Sequence, residues 1–235
     1  MNIIVIGGSG GLGLAIAQVF LLKYPSATIY ATFRSRIPNL SDKRLSWLKL
    51  DATKEADVQQ LASEFTEVDI LVNAIGVLHD DDHRPEKSLR EFNLEFFRKN
   101  IEINTVASIL LAKHFSKLLR HSNPTFFISL SAKVGSIEDN KLGGWISYRC
   151  SKAALNMALK TISIEWQRTV PNCCVVVFHP GTNDTPLSQP FQRNVPKGKL
   201  HTPEFTANAL MDIINSLTPA ESGGFYAYDG TKIPW

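Results

Sequence analysis

The sequence predicts an α/β fold, in which a single domain over residues 1–235 forms a doubly wound parallel sheet of about seven strands with helices on both faces. Apolar runs of four to seven residues, which are typical of buried strands, alternate along the chain with segments of helical character. Polar or glycine-rich stretches follow several of these runs directly, as expected where strand ends line a ligand crevice. No repeat, linker or second domain interrupts this order.

The first strand, at residues 3–6, leads straight into a glycine-rich turn and then into a helical segment. The glycines fit two spacings, Gly8-x-Gly10-x-x-Gly13 and Gly7-x-x-x-Gly11-x-Gly13. A strand, a glycine turn and a helix in this order allow the backbone and the helix N-terminus to approach a phosphate. The sequence therefore predicts a Rossmann-type dinucleotide site here, and the alternative is a tight turn that binds nothing.

The second strand, at residues 27–33, ends at Arg34, and Arg36 follows two positions later. An Asp or Glu about twenty residues after the glycine turn would bind the ribose hydroxyls of NAD, and neither stands there. A guanidinium suits the additional phosphate of NADP instead. We therefore expect NADP(H) to be preferred over NAD(H); the alternative is that both arginines are solvated loop charges.

Two more strands end in polar residues at the same predicted edge of the sheet. The third strand ends at Asp51 before a helix over residues 54–66, and the fourth, at residues 68–73, continues as Asn73-Ala74-Ile75-Gly76. Right-handed crossovers place both strand ends at the same edge of the sheet. Each end therefore either faces a ligand or forms an ordinary cap or turn.

The two histidines and three aspartates of segment 79–83 are consecutive and cannot easily converge on one metal ion. They predict a solvated acidic loop at the crevice rim.

Two helices are predicted over residues 89–100 and 101–120, and the second has a helically spaced apolar face. Asn104 lies near the start of that face. A buried amide is costly without hydrogen bonds, so we expect it to brace the backbone or to hold a water. The fifth strand, at residues 125–130, runs into Ser131 and Ala132.

Tyr148 and Lys152 lie in a helical segment that extends to about residue 168. Residues four apart share one face of a helix, so the two side chains point the same way. A nearby ammonium favours the phenolate and lowers the pKa of the phenol, which makes Tyr148 a candidate general acid or base. Alone, this pair is more often an amphipathic tyrosine beside a solvated lysine.

The last third of the chain completes the alternation of strands and helices. A sixth strand at residues 173–178 is followed by His179 and by Pro180-Gly181-Thr182, with Thr185 three residues further on. Residues 186–203 lack periodicity and predict a long functional loop. A helix over residues 204–217 and a strand at 224–228 follow.

The net charge, the apolar runs and the cysteines argue against several kinds of partner and cellular location. A formal charge of +3 without a basic block does not favour nucleic-acid binding. No apolar run approaches the roughly eighteen residues that span a membrane, and the N-terminal apolar run is too short for a signal peptide. Three cysteines, two of them adjacent, form no disulfide framework. We therefore expect a cytoplasmic protein that binds neither membranes nor nucleic acid.

The chain resembles the short-chain dehydrogenase/reductase family over nearly its whole length, and most of all the C-factor and sniffer-type carbonyl reductases. The narrower likeness lies in residues 134–137, in residues 143–156 around the tyrosine and lysine, and in the C-terminal residues 229–235. The wider likeness rests on motifs in the family's order and approximate spacing: the glycine turn, Asn73, Asn104, Tyr148-x-x-x-Lys152 and Pro180-Gly181-x-x-x-Thr185.

The resemblance implies an oxidoreductase in which Tyr148 protonates a carbonyl oxygen as hydride arrives from the nicotinamide. Lys152 would lower the pKa of that phenol and bind the nicotinamide ribose, and Asn104 would hold the water of a proton relay. It also implies a small-molecule carbonyl or alcohol substrate, and a homodimer or homotetramer. The cofactor-binding residues expected are Gly7, Ser9, Gly10, Gly11, Leu12, Gly13, Arg34, Asp51 and Ala52 (near the adenine), Asn73, Ala74, Gly76, Tyr148, Lys152, Pro180, Gly181, Thr182 and Thr185 (on the nicotinamide side).

Two positions depart from the family's pattern. The turn that usually reads Asn-Asn-Ala-Gly keeps only its first Asn and its Gly, at Asn73 and Gly76. The catalytic serine usually lies three residues before the glycine that follows strand five, and that position is Ala132. Ser131 is the candidate replacement, and the alternative role for it is to brace the turn.

The alanine keeps a second function open. A dinucleotide-binding cell–cell signalling or scaffold protein with little or no turnover would tolerate Ala132. The presence of Tyr148, Lys152 and Asn104 favours the oxidoreductase.

Overall fold

The computed structural model describes residues 1–235 and contains a seven-stranded sheet and a separate two-stranded one. The strands are β1 (Asn2–Ile6), β2 (Thr28–Phe33), β3 (Leu45–Lys49), β4 (Ile70–Asn73), β5 (Thr125–Leu130), β6 (Cys173–His179), β7 (Thr182–Asn183), β8 (Leu200–His201) and β9 (Gly224–Ala227). The large sheet has the order β3-β2-β1-β4-β5-β6-β9, and all neighbours are parallel. The predicted single-domain, doubly wound fold is confirmed.

Helices cover both faces of the large sheet. They are α1 (Gly11–Lys23), α2 (Glu55–Ser63), α3 (Leu94–Ile101), α4 (Ala107–Phe115), α5 (Ile146–Thr169) and α6 (Pro203–Ser216). One core contains α1 and α6 side chains such as Ile16 and Leu210, and the other contains Val58, Leu111 and Leu159 from α2, α4 and α5. Strands β4 and β5 are buried at every position, which explains why their sequences are almost continuously apolar.

The predicted break between two helices near residue 100 is wrong. Helix α3 continues through a π-helical segment, Glu102–Val106, directly into α4, so one helical run extends from Leu94 to Phe115. The predicted start at residue 89 is also wrong, because Leu89–Glu91 is a separate short 3₁₀ turn. The π-helical segment shifts the helical phase by about one residue, and the apolar pattern on its two sides therefore does not match a single α-helical period.

The order of the strands creates a crevice. The chain leaves β1 toward β2 and β3 on one side, and β4, β5 and β6 follow on the other, so the sheet order reverses between β1 and β4. Ligands of open α/β sheets bind outside the carboxyl ends of strands at such a point. The predicted long loop contains a 3₁₀ turn, Gln189–Asn194, and then β8, which pairs with β7. None of the helices has both the length and the apolar character that crossing a membrane requires.

Candidate active site

The glycine turn lies at the switch point between β1 and α1. Gly7 has a φ of 77°, a conformation that favours glycine, and a methyl group on Gly13 would collide with the Gly7 carbonyl oxygen. A methyl group on Gly11 would lie 2.9 Å from Cγ2 of Thr185, so the loop after β6 closes over this turn. The residues of the turn that line the central cavity are Gly10, Gly11, Leu12 and Gly13. Gly7 and Ser9 support them, since the Gly7 and Ser9 amides donate to Thr32.

A second cavity, of about 450 Å³, lies at the ends of β2 and β3 and is lined by Arg34, Asp51 and Lys54. A hydrogen bond from the Thr53 hydroxyl lowers the pKa of Asp51, and Arg34 contributes to the same shift. Arg34 lies directly after β2 and lines this cavity, and its role as the 2′-phosphate partner stays a prediction. Arg36 is exposed and does not line this cavity, and Ala52 is buried beneath it.

Asn73, at the end of β4, is directed into the protein rather than into the crevice. Its amide nitrogen donates to the hydroxyls of Ser108 at 2.6 Å and Ser129 at 3.2 Å, and its Oδ1 accepts from the Ile75 amide. The side chain therefore shapes the turn that follows. Ala74 and Gly76, with Ile75 between them, provide the cavity wall at this strand end.

Tyr148 and Lys152 lie one turn apart on α5, and both line the central cavity of about 640 Å³. The Lys152 ammonium nitrogen is 5.8 Å from the centroid of the Tyr148 ring and donates to the Leu130 carbonyl at 2.9 Å. Burial lowers the pKa of Lys152 to about 7, and burial raises the pKa of Tyr148 well above its usual value. The predicted lowering of the tyrosine pKa by the lysine is absent in the chain alone, because burial opposes both charged forms.

The beginning of α5 is set by a run of left-handed backbone. Gly143, Gly144 and Trp145 all have positive φ, and Trp145 is the only non-glycine residue in the chain that does. The Trp145 amide donates to the Glu86 carbonyl at 2.5 Å. The buried Glu86 carboxylate accepts hydrogen bonds from the Ser147 amide and hydroxyl, so it caps the helix that carries the tyrosine.

Asn104 is buried in the π-helical segment and connects the crevice wall to α5. Its Oδ1 accepts from the Val77 amide at 2.8 Å, and its Nδ2 donates to the Val77 carbonyl at 2.9 Å. The same nitrogen lies 2.9 Å from the Ser151 hydroxyl, and a methyl group on Gly76 would lie 3.5 Å from Asn104 Oδ1 and 3.6 Å from Lys152 Nζ. These hydrogen bonds brace the backbone, one of the two roles expected from the sequence, and the role of holding a water stays a prediction.

Ser131 lies on the cavity wall after β5, beside Ala132. Its hydroxyl donates to Oδ1 of Asn156 on α5 at 2.6 Å, and this bond is buried. The hydrogen expected to reach a substrate oxygen is therefore directed into the protein. The catalytic assignment of Ser131 stays a prediction, and this bond favours the bracing role.

The wall opposite α5 comes from the loop after β6. Pro180, Gly181, Thr182 and Thr185 all line the cavity, as predicted. Sequence reasoning missed an aromatic pair that lines the cavity, in which the ring of Trp145, at the start of α5, lies 5.4 Å from that of Phe191 in the loop after β6. Sequence reasoning also assigned no role to His179, which lines the cavity from the end of β6. A histidine directly before the Pro-Gly pair was the available signal.

The acidic segment at residues 79–83 forms a loop held by its own charges. Asp80 accepts from the His83 ring nitrogen at 3.0 Å and pairs with Lys99 at 2.8 Å. No group of three or more His, Cys, Asp or Glu side chains in the chain could hold a metal ion.

A glycine turn at the switch point, with a buried tyrosine–lysine pair across the same cavity, defines the class of Rossmann-type oxidoreductases. Within that class the chain belongs to the short-chain dehydrogenase family, because the family model described as short chain dehydrogenase matches residues 1–196. The family membership expected from the sequence is confirmed.

Two relatives illustrate the range of the family. The chain is 30% identical over 190 residues to the 1-hydroxy-2-glutathionyl-2-methyl-3-butene dehydrogenase of Rhodococcus sp. strain AD45, covering 79% of this chain and 78% of that protein. It is 28% identical over 168 residues to the C-signal protein of Myxococcus xanthus, covering 72% of this chain and 93% of that one.

Solved structures share the fold over the full length of the chain. The carbonyl reductase Sniffer of Drosophila melanogaster superposes with a TM-score of 0.86 at 23% identity, over 100% of this chain and 99% of that one. The NADPH-bound carbonyl reductase from chicken fatty liver gives 0.84 at 23% identity, over 100% and 98%. The predicted likeness to C-factor and sniffer-type proteins is confirmed.

Proposed function

We propose that this chain is an NADP(H)-dependent oxidoreductase that transfers a hydride between the nicotinamide and a carbonyl or alcohol substrate. The observation that carries the proposal is the burial of Tyr148 and Lys152 on one face of α5, in the cavity that also contains the glycine turn. A phenol and an amine enclosed together at a dinucleotide turn suit proton transfer to a reacting oxygen better than they suit a stabilising role.

Different parts of the chain would bind different parts of the cofactor. The turn from Gly10 to Gly13 would hold the pyrophosphate, and Arg34 would meet the 2′-phosphate at the ends of β2 and β3. The wall from Pro180 to Thr185 would hold the nicotinamide. When bound, the reduced nicotinamide supplies a hydride to the carbonyl carbon, and the nicotinamide is thereby oxidised.

Tyr148 donates the proton in the direction of reduction. Because burial raises its pKa, the phenol carries its hydrogen at neutral pH, which is the state that protonation of a carbonyl oxygen requires. Lys152 contributes a donor at the base of the cavity and would bind the nicotinamide ribose. Asn104 holds the Val77 backbone and would position the water through which Tyr148 regains its proton.

The fit to NADP has support of two kinds. Arg34 and Lys54 give the second cavity two positive side chains, and Arg34 stands directly after β2, where an acid would bind the ribose hydroxyls of NAD. The chicken carbonyl reductase with the same fold is bound to NADPH. We further propose that the protein acts in the cytoplasm on a small molecule, as a homodimer or homotetramer.

The experiment measures NADPH oxidation against a panel of aromatic and aliphatic aldehydes and ketones. Tyr148→Phe keeps the packing of the ring and removes the proton, so we expect kcat to fall by about 10²–10⁴. NADPH affinity, measured by fluorescence titration, should stay within about threefold of the wild type because the ring is retained. Equal turnover in the variant and the wild type would contradict Tyr148 as the acid.

A second candidate function is a dinucleotide-binding signalling protein. Ala132 at the position of the family's serine favours it, and so does the similarity to the C-signal protein. A wild type that binds NADPH but reduces none of the panel would favour this second function.

A further inference from the structure

Reduction of a carbonyl places negative charge on its oxygen, and one donor in this cavity is missing. Tyr148 provides one hydrogen bond, and loss of a second donor at such an oxygen costs about 10²–10³ in rate. The family's serine is Ala132, whose methyl group cannot donate. The Ser131 hydroxyl donates to Asn156 instead of into the cavity.

Two other polar side chains that line the cavity already have partners. The Lys133 ammonium pairs with Asp139 at 3.1 Å, outside the tyrosine's surroundings. The Asn183 amide nitrogen donates to the Pro180 carbonyl at 2.8 Å. The candidates for a second donor are therefore the side chains that lie next to Ala132 and that the family motif does not assign.

His179 lies beside the position of the missing serine. It is the last residue of β6, and β5 and β6 are paired up to Leu130 and Phe178, with the Ser131 amide donating to the Phe178 carbonyl. The end of β6 and the turn after β5 are therefore adjacent. His179 lines the same cavity as Tyr148 and Ala132.

The protein fixes which nitrogen of the His179 ring carries the hydrogen. The Lys133 backbone amide lies 3.2 Å from Nδ1 and can only donate, so Nδ1 must accept. In the neutral ring the hydrogen then resides on Nε2. No protein group bonds Nε2, and this atom is not among the enclosed polar atoms without a partner, so it is open to one of the two cavities that His179 lines. These are the central cavity and a neighbouring one that includes His201 and Asp229, and donation to a substrate oxygen requires Nε2 to face the first.

Protonation of the ring is disfavoured on the same grounds. A hydrogen on Nδ1 would oppose the Lys133 amide hydrogen directly. Burial lowers the pKa of His179 to about 4, and the Lys133 charge adds to the shift while Asp229 and Asp139 oppose it. His179 is therefore neutral at physiological pH, and a neutral imidazole can polarise a carbonyl without competing to protonate it.

We propose that His179, as a neutral imidazole with its hydrogen on Nε2, donates the second hydrogen bond to the substrate oxygen in place of the serine that is Ala132 here. The inference rests on the proposed carbonyl reduction. Tyr148 still delivers the proton, and His179 keeps its own hydrogen throughout, so no further acid or base is required.

Two substitutions test the acceptor role of Nδ1 and the donor role of Nε2 separately. His179→Asn keeps an acceptor near Nδ1 for the Lys133 amide and lacks a donor at the Nε2 position. His179→Gln places an amide near Nε2 and loses the acceptor. If the donor matters, Asn should lower kcat by about 10²–10³ with NADPH affinity unchanged, and Gln should retain kcat within about tenfold of the wild type.

Ala132→Ser restores the family's hydroxyl. In the His179→Asn background it should recover at least tenfold in kcat, because a second donor is again available. His114→Asn, remote from the cavity on α4, is the matched control for loss of an imidazole and should leave kcat unchanged. Ring ¹⁵N shifts of His179 in the NADP⁺ complex, at pH 7, should identify a neutral ring with its hydrogen on Nε2.

The outcomes distinguish a failure of this inference from a failure of the proposed function. A wild type that reduces carbonyls, together with a His179→Asn variant of equal kcat, overturns this inference and leaves the proposed function intact. A His179 ring that is cationic or carries its hydrogen on Nδ1 overturns it as well, whatever the kinetics of the variants. A wild type that reduces no carbonyl overturns the proposed function and this inference together.

Discussion

Burial sets the protonation of both residues at the centre of the site. Tyr148 and Lys152 are 8% and 3% exposed, and neither has an acidic partner. In such surroundings the charged forms are penalised, so the lysine approaches neutrality near pH 7 while the tyrosine stays a phenol. The hydrogen bond from Lys152 to the Leu130 carbonyl partly offsets this cost and fixes the ammonium at the end of β5.

Arg34 allows a direct test of cofactor choice. A charge-assisted pair to the 2′-phosphate contributes roughly 1.5–3 kcal/mol, so Arg34→Ala should raise the dissociation constant for NADPH by about tenfold or more. The constant for NADH should change little because that cofactor lacks the phosphate. Arg36→Ala should have a smaller effect, since Arg36 does not line the cavity.

Titration by isothermal calorimetry measures both constants in each variant. Arg168→Ala, in the last turn of α5, is a control for the loss of one positive charge. Equal wild-type affinities for NADPH and NADH would show that the arginine does not discriminate between them.

The sequence predicted the positions of the site residues more accurately than it predicted their hydrogen-bond partners. Tyr148, Lys152 and Arg34 could be assigned because spacing along a helix and position after a strand depend on local sequence. The partner of Ser131 is Asn156, 25 positions away, and the nitrogen that His179 offers is decided by the Lys133 backbone. Such partners depend on tertiary packing, which no local pattern encodes.

At the scale of elements, α5 depends on a cap that is remote in the sequence. The helix has no side-chain cap at Trp145, and the carboxylate of Glu86 takes that role from a loop 61 residues before Ser147. Sequence patterns for helix starts place the cap beside the first turn, so they could not find this one.

Glu86→Gln tests the cap. The amide keeps an acceptor for the Ser147 amide but lacks the carboxylate's charge, so the charge-assisted bonds to Ser147 and the attraction to the helix N-terminus are weakened. We expect the free energy of unfolding, measured with urea, to fall by about 1–3 kcal/mol. Asp82→Asn, an exposed acid in the same loop, should change it by less than about 0.5 kcal/mol. An equally small change in Glu86→Gln would contradict the capping role.

The π-helical segment explains the least successful prediction at this scale. Asn104 lies inside this segment, and the apolar residues of α4 follow it with a shifted helical phase, so periodicity analysis divides one helical run into two. Strand predictions were more accurate, and residues 125–130 match β5 at both ends. Buried parallel strands are continuous apolar runs, whereas a π segment leaves no compositional trace.

At the scale of the whole molecule, the faces of α4 and α5 away from the sheet leave large apolar side chains in solvent. Ile109 is 42% exposed, Met157 67% and Ile164 53%. Met157 and Ile164 are seven residues apart and therefore share one face of α5. Exposed apolar groups on neighbouring helices are typical of protein–protein contacts.

We therefore expect self-association through this face. Introducing charge with the double substitution Met157→Glu and Ile164→Glu should convert the assembly into monomers, because a buried unpaired carboxylate is costly. Light scattering coupled to gel filtration measures the mass. Leu22→Glu, at an equally exposed apolar position on α1, should leave the mass unchanged. A wild type that is already monomeric would contradict the proposed oligomer.

The sheet order has a consequence for synthesis on the ribosome. β1 is the first strand to emerge, yet it lies between β2 and β4, and Ile3 pairs with Ile70 on its second edge. At roughly 5–20 residues per second, about two to eight seconds separate the emergence of β2 from that of β4. During this interval the nascent chain exposes the unpaired backbone edge of an apolar strand that will lie inside the sheet. We therefore expect chaperones to bind this part of the chain in the interval between the synthesis of β2 and that of β4.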